Sequence, residues 1–367
     1  MDDRELIQFA RQLLSLQSFA REESQVPDLI VGTLKDRGAE PKVVARDGVR
    51  NIVAQTRGAC NVIFNGHWDT VLPNEEFERD MLPVRLDDGM LYGLGACDMK
   101  SGVAAECAAF LRCLHQDIPG VALCLVGDEE LGGQNGTGLL VDEGYVAPYA
   151  VLGEPTRLRL SLGQKGGMNV DVTSRGRLAH GAYPHRGDNA ILKMMDFFDL
   201  LLERYPIPQA DADNATVFAM TTASIGTIRG GQSTNVVPDC CEATIDIRLP
   251  PQVSVEEVET SLLEMAATAG VEVYVQFHGY GWQLDKASEI YEVSKGAVET
   301  VTQKPVAFVQ KMGTNDGKYY AYHGAQITNV GPGDNRLSHT ARECVPTTEL
   351  TQARDIYVEI ARRLAKV

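Results

Sequence analysis

Apolar residues at helical spacing open the chain. Leu6, Phe9, Leu13 and Leu14, then Val26, Leu29, Ile30 and Leu34, predict two amphipathic helices, the second ending before Gly38. Short runs follow: residues 42–45 and 51–55 flank Asp47-Gly48, and 84–86 meet Leu91-Tyr92 across Asp88-Gly89, a dipeptide that accepts the positive φ of tight hairpin turns. Beyond these hairpins the strand-like runs become continuously apolar, at 61–65, 121–126 and 150–152. The Ala-rich stretch 100–115 and the stretch 136–142 read as helices between them. Uninterrupted apolar strands alternating with helices predict an α/β fold built on a mostly parallel sheet with both faces covered.

From about Gly163 the rhythm changes. A strand at 168–173, a helix at 189–204, strands at 220–227 and 240–248, a helix at 254–269 and a strand at 271–277 follow a β-α-β-β-α-β order, which is ferredoxin-like and α+β. The first rhythm then resumes with a helix at 288–302, a strand at 306–309, a helix at 317–323, a strand at 326–330 and a closing helix from Thr347. The order predicts a domain formed by 1–163 and 279–367 into which 164–278 is inserted. At 367 residues, 44% of them hydrophobic, the chain exceeds what one core usually holds.

A formal net charge of -16 argues against nucleic acid, since such surfaces gain affinity from clustered Lys and Arg. No apolar run is long enough to span a bilayer, so no membrane partner is expected. The acidic start Met1 to Arg4 leads straight into an amphipathic helix rather than an apolar export segment, and the eight cysteines contain no CxxC spacing. Both features predict a cytoplasmic protein with reduced thiols.

Two imidazoles and several carboxylates stand just past the apolar strands or in glycine-bounded turns, where an open α/β sheet keeps its active site. His67 and Asp69 follow 61–65, and two residues of spacing point both to one side, so that Asp69 can orient the ring. Asp98 lies in Gly95-Ala96-Cys97-Asp98-Met99-Lys100-Ser101-Gly102, at the start of a helix, and could bridge two cations or simply cap that helix. Asp128-Glu129-Glu130 directly after 121–126 places three adjacent carboxylates that repel unless cations or solvent screen them, although a solvated acidic loop is the plainer alternative. One of these glutamates would bind metal and the other carry protons. Glu154 and His339 would complete two similar N/O sets around Asp98, suited to Zn, with Co or Mn as substitutes. Gly93 to Asp98 and Gly313 to Lys318 imitate dinucleotide and phosphate loops, but the first lacks its third glycine, and the second has the wrong spacing and Tyr319 in place of Ser or Thr.

Gly66-His67-Trp68-Asp69-Thr70-Val71, Cys97-Asp98-Met99-Lys100-Ser101-Gly102, Asp128-Glu129-Glu130, Gly153-Glu154-Pro155-Thr156, His180-Gly181-Ala182-Tyr183-Pro184 and Ser338-His339-Thr340 occur in one order along nearly the whole chain. In these motifs the chain resembles the co-catalytic zinc amidohydrolase and peptidase family that contains acetylornithine deacetylase, succinyl-diaminopimelate desuccinylase and the glutamate carboxypeptidases. The resemblance implies a zinc-peptidase-like catalytic domain holding two Zn2+. His67, Asp98 and Glu154 would hold one ion and Asp98, Glu130 and His339 the other, with Glu129 as general acid/base and Asp69 supporting His67. It further implies that the inserted domain is a lid and homodimerisation unit, that His180 reaches the partner subunit's active site, and that Asn235 and Arg248 grip a substrate carboxylate. From the residues alone, Arg248 in Asp246-Ile247-Arg248 reads equally as a strand-surface charge paired with its neighbour. Trp68 stands where many relatives carry a smaller or polar residue, implying different packing beside His67. The expected activity is cleavage of the amide bond of a small N-acyl amino acid, with 153–156, 164–166 and Asp69-Thr70-Val71 closer to the acetylornithine deacetylase branch. A carboxypeptidase or dipeptidase acting on small peptides and a catalytically inactive metal-binding scaffold are the alternatives.

Overall fold

The computed structural model describes residues 1–20, 22–73 and 84–366, which divide into two compact units. The first comprises Met1–Leu162, Leu284–Val309 and Asn315–Val367. Its six-stranded sheet runs in the order Lys42–Arg46, Val49–Gln55, Val121–Val126, Val62–His67, Tyr149–Leu152, Gln326–Asn329. The last four strands are parallel and the first two pair antiparallel, so the sheet is mixed. Val62–His67 and Val121–Val126 are buried at every position, and strands covered on both faces need unbroken apolar side chains.

Register explains why function gathers on one edge. His67 pairs with Val126 and Asn65 with Leu152, so these parallel strands finish together and release His67, Asp128 and Glu154 side by side along their carboxyl ends. The helix Lys100–His115 packs almost entirely buried against them. A Cβ at Gly102 would collide with the carbonyl of Gly153, so glycine is what lets the helix approach that edge.

The second unit, Gly163–Gln283 with Gln310–Thr314, holds a four-stranded antiparallel sheet in the order Thr222–Gly230, Cys240–Leu249, Gly166–Arg175, Val271–Gly279. That is the ferredoxin-like arrangement. One face packs Met168, Val170, Val172, Ile245 and Ile247 against Met194, Phe197 and Leu201 of the helix Ala190–Arg204 and Val258 and Leu262 of Val255–Ala269. The other face is open, so its strands alternate buried and exposed positions.

Three local features differ from the sequence expectation. Asn214–Ala219 forms an additional helix, and the strand expected from 220 begins at Thr222 because that helix occupies the preceding residues. The strand expected at 306–309 lies at Phe308–Lys311 and falls outside the six-stranded sheet; its half-exposed Phe-Val-Gln-Lys lacks the apolar continuity of the buried strands.

Candidate active site

Asp98 stands between two imidazoles. Its Oδ1 lies 3.1 Å from His67 Nε2 and its Oδ2 lies 3.6 Å from His339 Nε2, so each carboxylate oxygen faces a different ring. Helix capping does not explain this placement: the cap position of Lys100–His115 is Met99, with no side-chain cap bond. His339, held in the left-handed region at φ 62°, also meets Glu130 Oε1 at 3.1 Å. His67, Asp98 and Glu130 can each bring one ligand atom within 4.8 Å of the others. This trio crosses the two ligand sets implied by resemblance, which paired His67 with Glu154. Glu154 is buried at the same edge, and its charge acts on Glu129.

The imidazole of His67 is oriented from behind. Nδ1 meets the backbone carbonyl of Asp69 at 3.0 Å, which turns Nε2 toward Asp98 Oδ1. The Asp69 carboxylate lies 3.4 Å from the same Nδ1 and accepts the backbone N–H groups of Glu129 and Glu130 at 3.3 and 3.2 Å. Asp69 therefore sets the turn that presents both glutamates, a 3-10 turn at Glu129–Leu131, as well as the ring. Asp128 is fully buried and accepts the Asn135 N–H at 2.9 Å, so the triplet is not a solvated loop. Trp68 points the other way, its indole packed on Gly127 and its Nε1 donating to the Arg50 carbonyl at 3.2 Å.

Electrostatically the edge is crowded with carboxylates. Burial lifts Glu129 well above the usual carboxylate range; His67 opposes this, while Asp316, Glu154 and Glu130 add to it. Burial also raises Glu130, against the pull of His339. Burial alone would lower the pKa of His67, yet bonding to Asp69 and Asp98 holds it well above its ordinary value. The Glu130 hydrogen bond pushes His339 up to about 9. Protons on the imidazoles and glutamates thus offset crowded carboxylates, a role that divalent cations fill better. The N/O donors fit zinc-type ions in kind, and His67, Asp98 and Glu130 lie close enough together to share one.

Sequence reasoning passed over three buried acids. Asp316, in the stretch set aside as an imperfect phosphate loop, accepts Thr137 Oγ1 at 2.7 Å and sits 3.5 Å from Lys318 Nζ. Glu343 accepts backbone N–H groups of the Asp98 turn. Glu106 is fully buried on the Ala-rich helix against Gly66 and Gly153, the residues preceding His67 and Glu154. Burial pushes its pKa well above the usual range, opposed by the Gly153 backbone and reinforced by Glu154. A lone acid in a helix of alanines and cysteines was the available signal for Glu106.

In the second unit, His180 pairs across strands with Val236, and the Gly181 N–H donates to the Asn235 carbonyl at 2.7 Å, so His180 and Asn235 are neighbours. The Ala182 N–H donates to His180 Nδ1 at 3.0 Å, which puts the ring proton on Nε2. Asn235 Oδ1 accepts Ser233 Oγ at 2.6 Å. Arg248 lies on the open sheet face and forks onto Asp246, Nε to Oδ1 and Nη2 to Oδ2, both 2.7 Å. That is the neighbour pairing left open from its sequence context.

A family model described as a peptidase dimerisation domain matches residues 162–273. Proteins of Cereibacter sphaeroides and Halorhodospira halophila, both named succinyl-diaminopimelate desuccinylase, are 31% and 30% identical to this chain. The matches cover 95% and 98% of it and 96% and 98% of theirs. Among solved structures, an M20 family metallo-carboxypeptidase of Sulfolobus solfataricus matches over 100% of both chains with a TM-score of 0.82 at 15% identity. A dinuclear metal binding peptidase of the M20 family from Bacillus subtilis covers 99% of this chain and 98% of its own, with a TM-score of 0.71 at 14% identity.

The mixed α/β unit, its imidazole pair split by one carboxylate and the peptidase-type dimerisation domain define a metal-dependent hydrolase of linear amides. The chain belongs to the M20 family of metallopeptidases and amidohydrolases.

Proposed function

We propose that this protein is a cytoplasmic, homodimeric two-zinc deacylase that hydrolyses the amide bond of a small N-acyl amino acid to a carboxylate and a free amino acid. The observation that carries this reading is the division of Asp98 between His67 and His339, the disposition a shared bridging ligand requires. His67, Asp98, Glu154, Glu130 and His339 would hold the ions, with Co2+ or Mn2+ as substitutes. Among the described residues no helix is long and apolar enough to cross a membrane.

Bound there, two cations supply positive charge that polarises the acyl carbonyl and acidifies water. Glu129, whose proton affinity burial raises, takes a proton from the attacking water as the new C–O bond forms. It then delivers that proton to the amide nitrogen as the C–N bond breaks. Asp69 fixes the Glu129 backbone during both transfers. His180, with its proton on Nε2, would donate to the oxyanion in the partner subunit's cleft, and Asn235 and Arg248 would bind the substrate carboxylate.

The full-length relatives named above are desuccinylases, which turns the acyl group toward succinyl and away from the acetyl branch suggested by 153–156. Steady-state kinetics of the zinc-loaded protein on N-acetyl, N-succinyl and dipeptide substrates tests the reading. The highest kcat/KM is expected on an N-acyl amino acid. Faster cleavage of dipeptides would instead support the peptidase reading, which the peptidases among the structural neighbours keep in view. Inertness toward all three would support a metal-binding scaffold.

A further inference from the structure

Glu343 follows His339 by four residues and is 3% exposed. Its side chain turns inward to the Asp98 loop: Oε1 accepts the backbone N–H groups of Cys97 and Asp98 at 2.9 and 2.8 Å, and Oε2 accepts that of Gly95 at 3.0 Å. Main-chain contacts extend the seam. The Gly93 N–H donates to the Glu343 carbonyl at 3.2 Å, the Cys97 thiol to the Cys344 carbonyl at 3.0 Å, and Cys344–Pro346 pairs antiparallel with Met90–Tyr92. Three converging amides form an anion-binding nest at the head of the helix Lys100–His115, and the chain fills it with its own carboxylate. Both oxygens of Glu343 are thus turned onto the amides of the Asp98 loop.

The two loops stitched together here carry Asp98 and His339. We propose that Glu343 is a positioning residue that makes them one rigid body, keeping the Asp98 oxygens split between the two imidazoles and thereby setting the affinity for both ions. This inference rests on the two-metal reading above and adds the group that holds its bridge in place. Outer groups that orient ligands typically govern affinity by about 10–100-fold. Glu343→Gln tests it conservatively: one amide oxygen can still accept from Cys97 and Asp98, while the amide NH2 faces the Gly95 N–H, where no bond can form.

Metal-free wild type and Glu343→Gln are titrated with Co2+, with binding followed by calorimetry and by the visible Co2+ spectrum. Hydrogen exchange of the segment 93–99 in the metal-free chains is compared with that of Val121–Val126. The expected result is about 10–100-fold weaker binding of both ions, an altered spectrum, and faster exchange at 93–99 with Val121–Val126 unchanged. Wild-type affinity and spectrum in a folded Glu343→Gln, even with a lowered Tm, would reduce Glu343 to a structural role and overturn the proposal. If Glu343→Gln does not fold, Glu343→Asp, which keeps the charge but shortens the reach, is read by the same measurements. Fewer than two ions in the wild type would sink the two-metal reading itself, a result distinguishable from failure of Glu343 alone.

Discussion

At the strand ends of the first unit His67, Asp69 and Glu154 are buried, Glu129 and Glu130 are partly covered, and the carboxylates lift one another's proton affinity. In the second unit His180 and Asn235 are exposed and Arg248 is half-buried, each with a hydrogen-bond partner in its own unit. Buried like charges cost several kcal/mol unless compensated, so the first arrangement calls for cations. An exposed imidazole or a salt-bridged arginine is comfortable in water and calls for nothing. Burial of the carboxylates therefore marks the candidate metal edge on physical grounds, with the exposed His339 joined to it through Asp98 and Glu130, whereas the second unit's residues acquire a role only if a substrate or a partner subunit reaches them.

Substitutions can break that contrast, and the largest effect is expected at Glu129. Glu129→Gln should lower kcat by about 10²–10⁴-fold while leaving both ions bound, because the proton carrier is lost and the donors remain. Substantial residual turnover would move the proton carrier elsewhere. His180→Ala should cost about 10²–10³-fold in kcat if Nε2 serves the oxyanion, with metal stoichiometry unchanged. Mixing His180→Ala and Glu129→Gln chains should restore activity through hybrid dimers, and no complementation would confine His180 to its own subunit. Arg248→Ala should raise KM by roughly 10–100-fold with little change in kcat, the worth of a lost charged hydrogen bond. An unchanged KM would leave Arg248 as nothing more than the partner of Asp246.

The smallest effect concerns stability. Glu106 keeps its proton in the folded chain at pH values where an unfolded glutamate, with its ordinary pKa of 4.5, has lost it. Its contribution is therefore fully present below about pH 4.5 and is lost as pH rises through the folded pKa. Glu106→Met, similar in volume and apolar, should gain about 1–3 kcal/mol near neutrality, with a Tm advantage that widens as pH rises above 4.5 toward the raised folded pKa. A Tm difference that does not change with pH would show that Glu106 ionises freely.

How much of this was legible in residue order depended on how local each signal was. The buried strands and the candidate donors His67, Glu130 and Glu154 stood out because an unbroken apolar run followed closely by acids or histidine marks a covered strand ending at a polar edge. The β-α-β-β-α-β order of the second unit carried its topology through period-two and helical spacing. Glu343 and Asp316 were illegible for the opposite reason: their partners lie 245–248 and 179 residues away, and a single acid in a loop looks like any solvated one. The double duty of Asp69 was also hidden, because spacing shows which side a residue faces but not which of its atoms makes the bond. His180, Asn235 and Arg248 came from resemblance alone, since exposed groups with local partners leave no physical trace of a second role.

A two-metal centre requires Asp98 to be shared, and calorimetric titration of the metal-free chain with Zn2+ reads this directly. Two ions per chain are expected, and Asp98→Asn should weaken both together because each has lost the same charged oxygen donor. A single ion in the wild type, or an Asp98→Asn chain that keeps one site at full affinity, would contradict it.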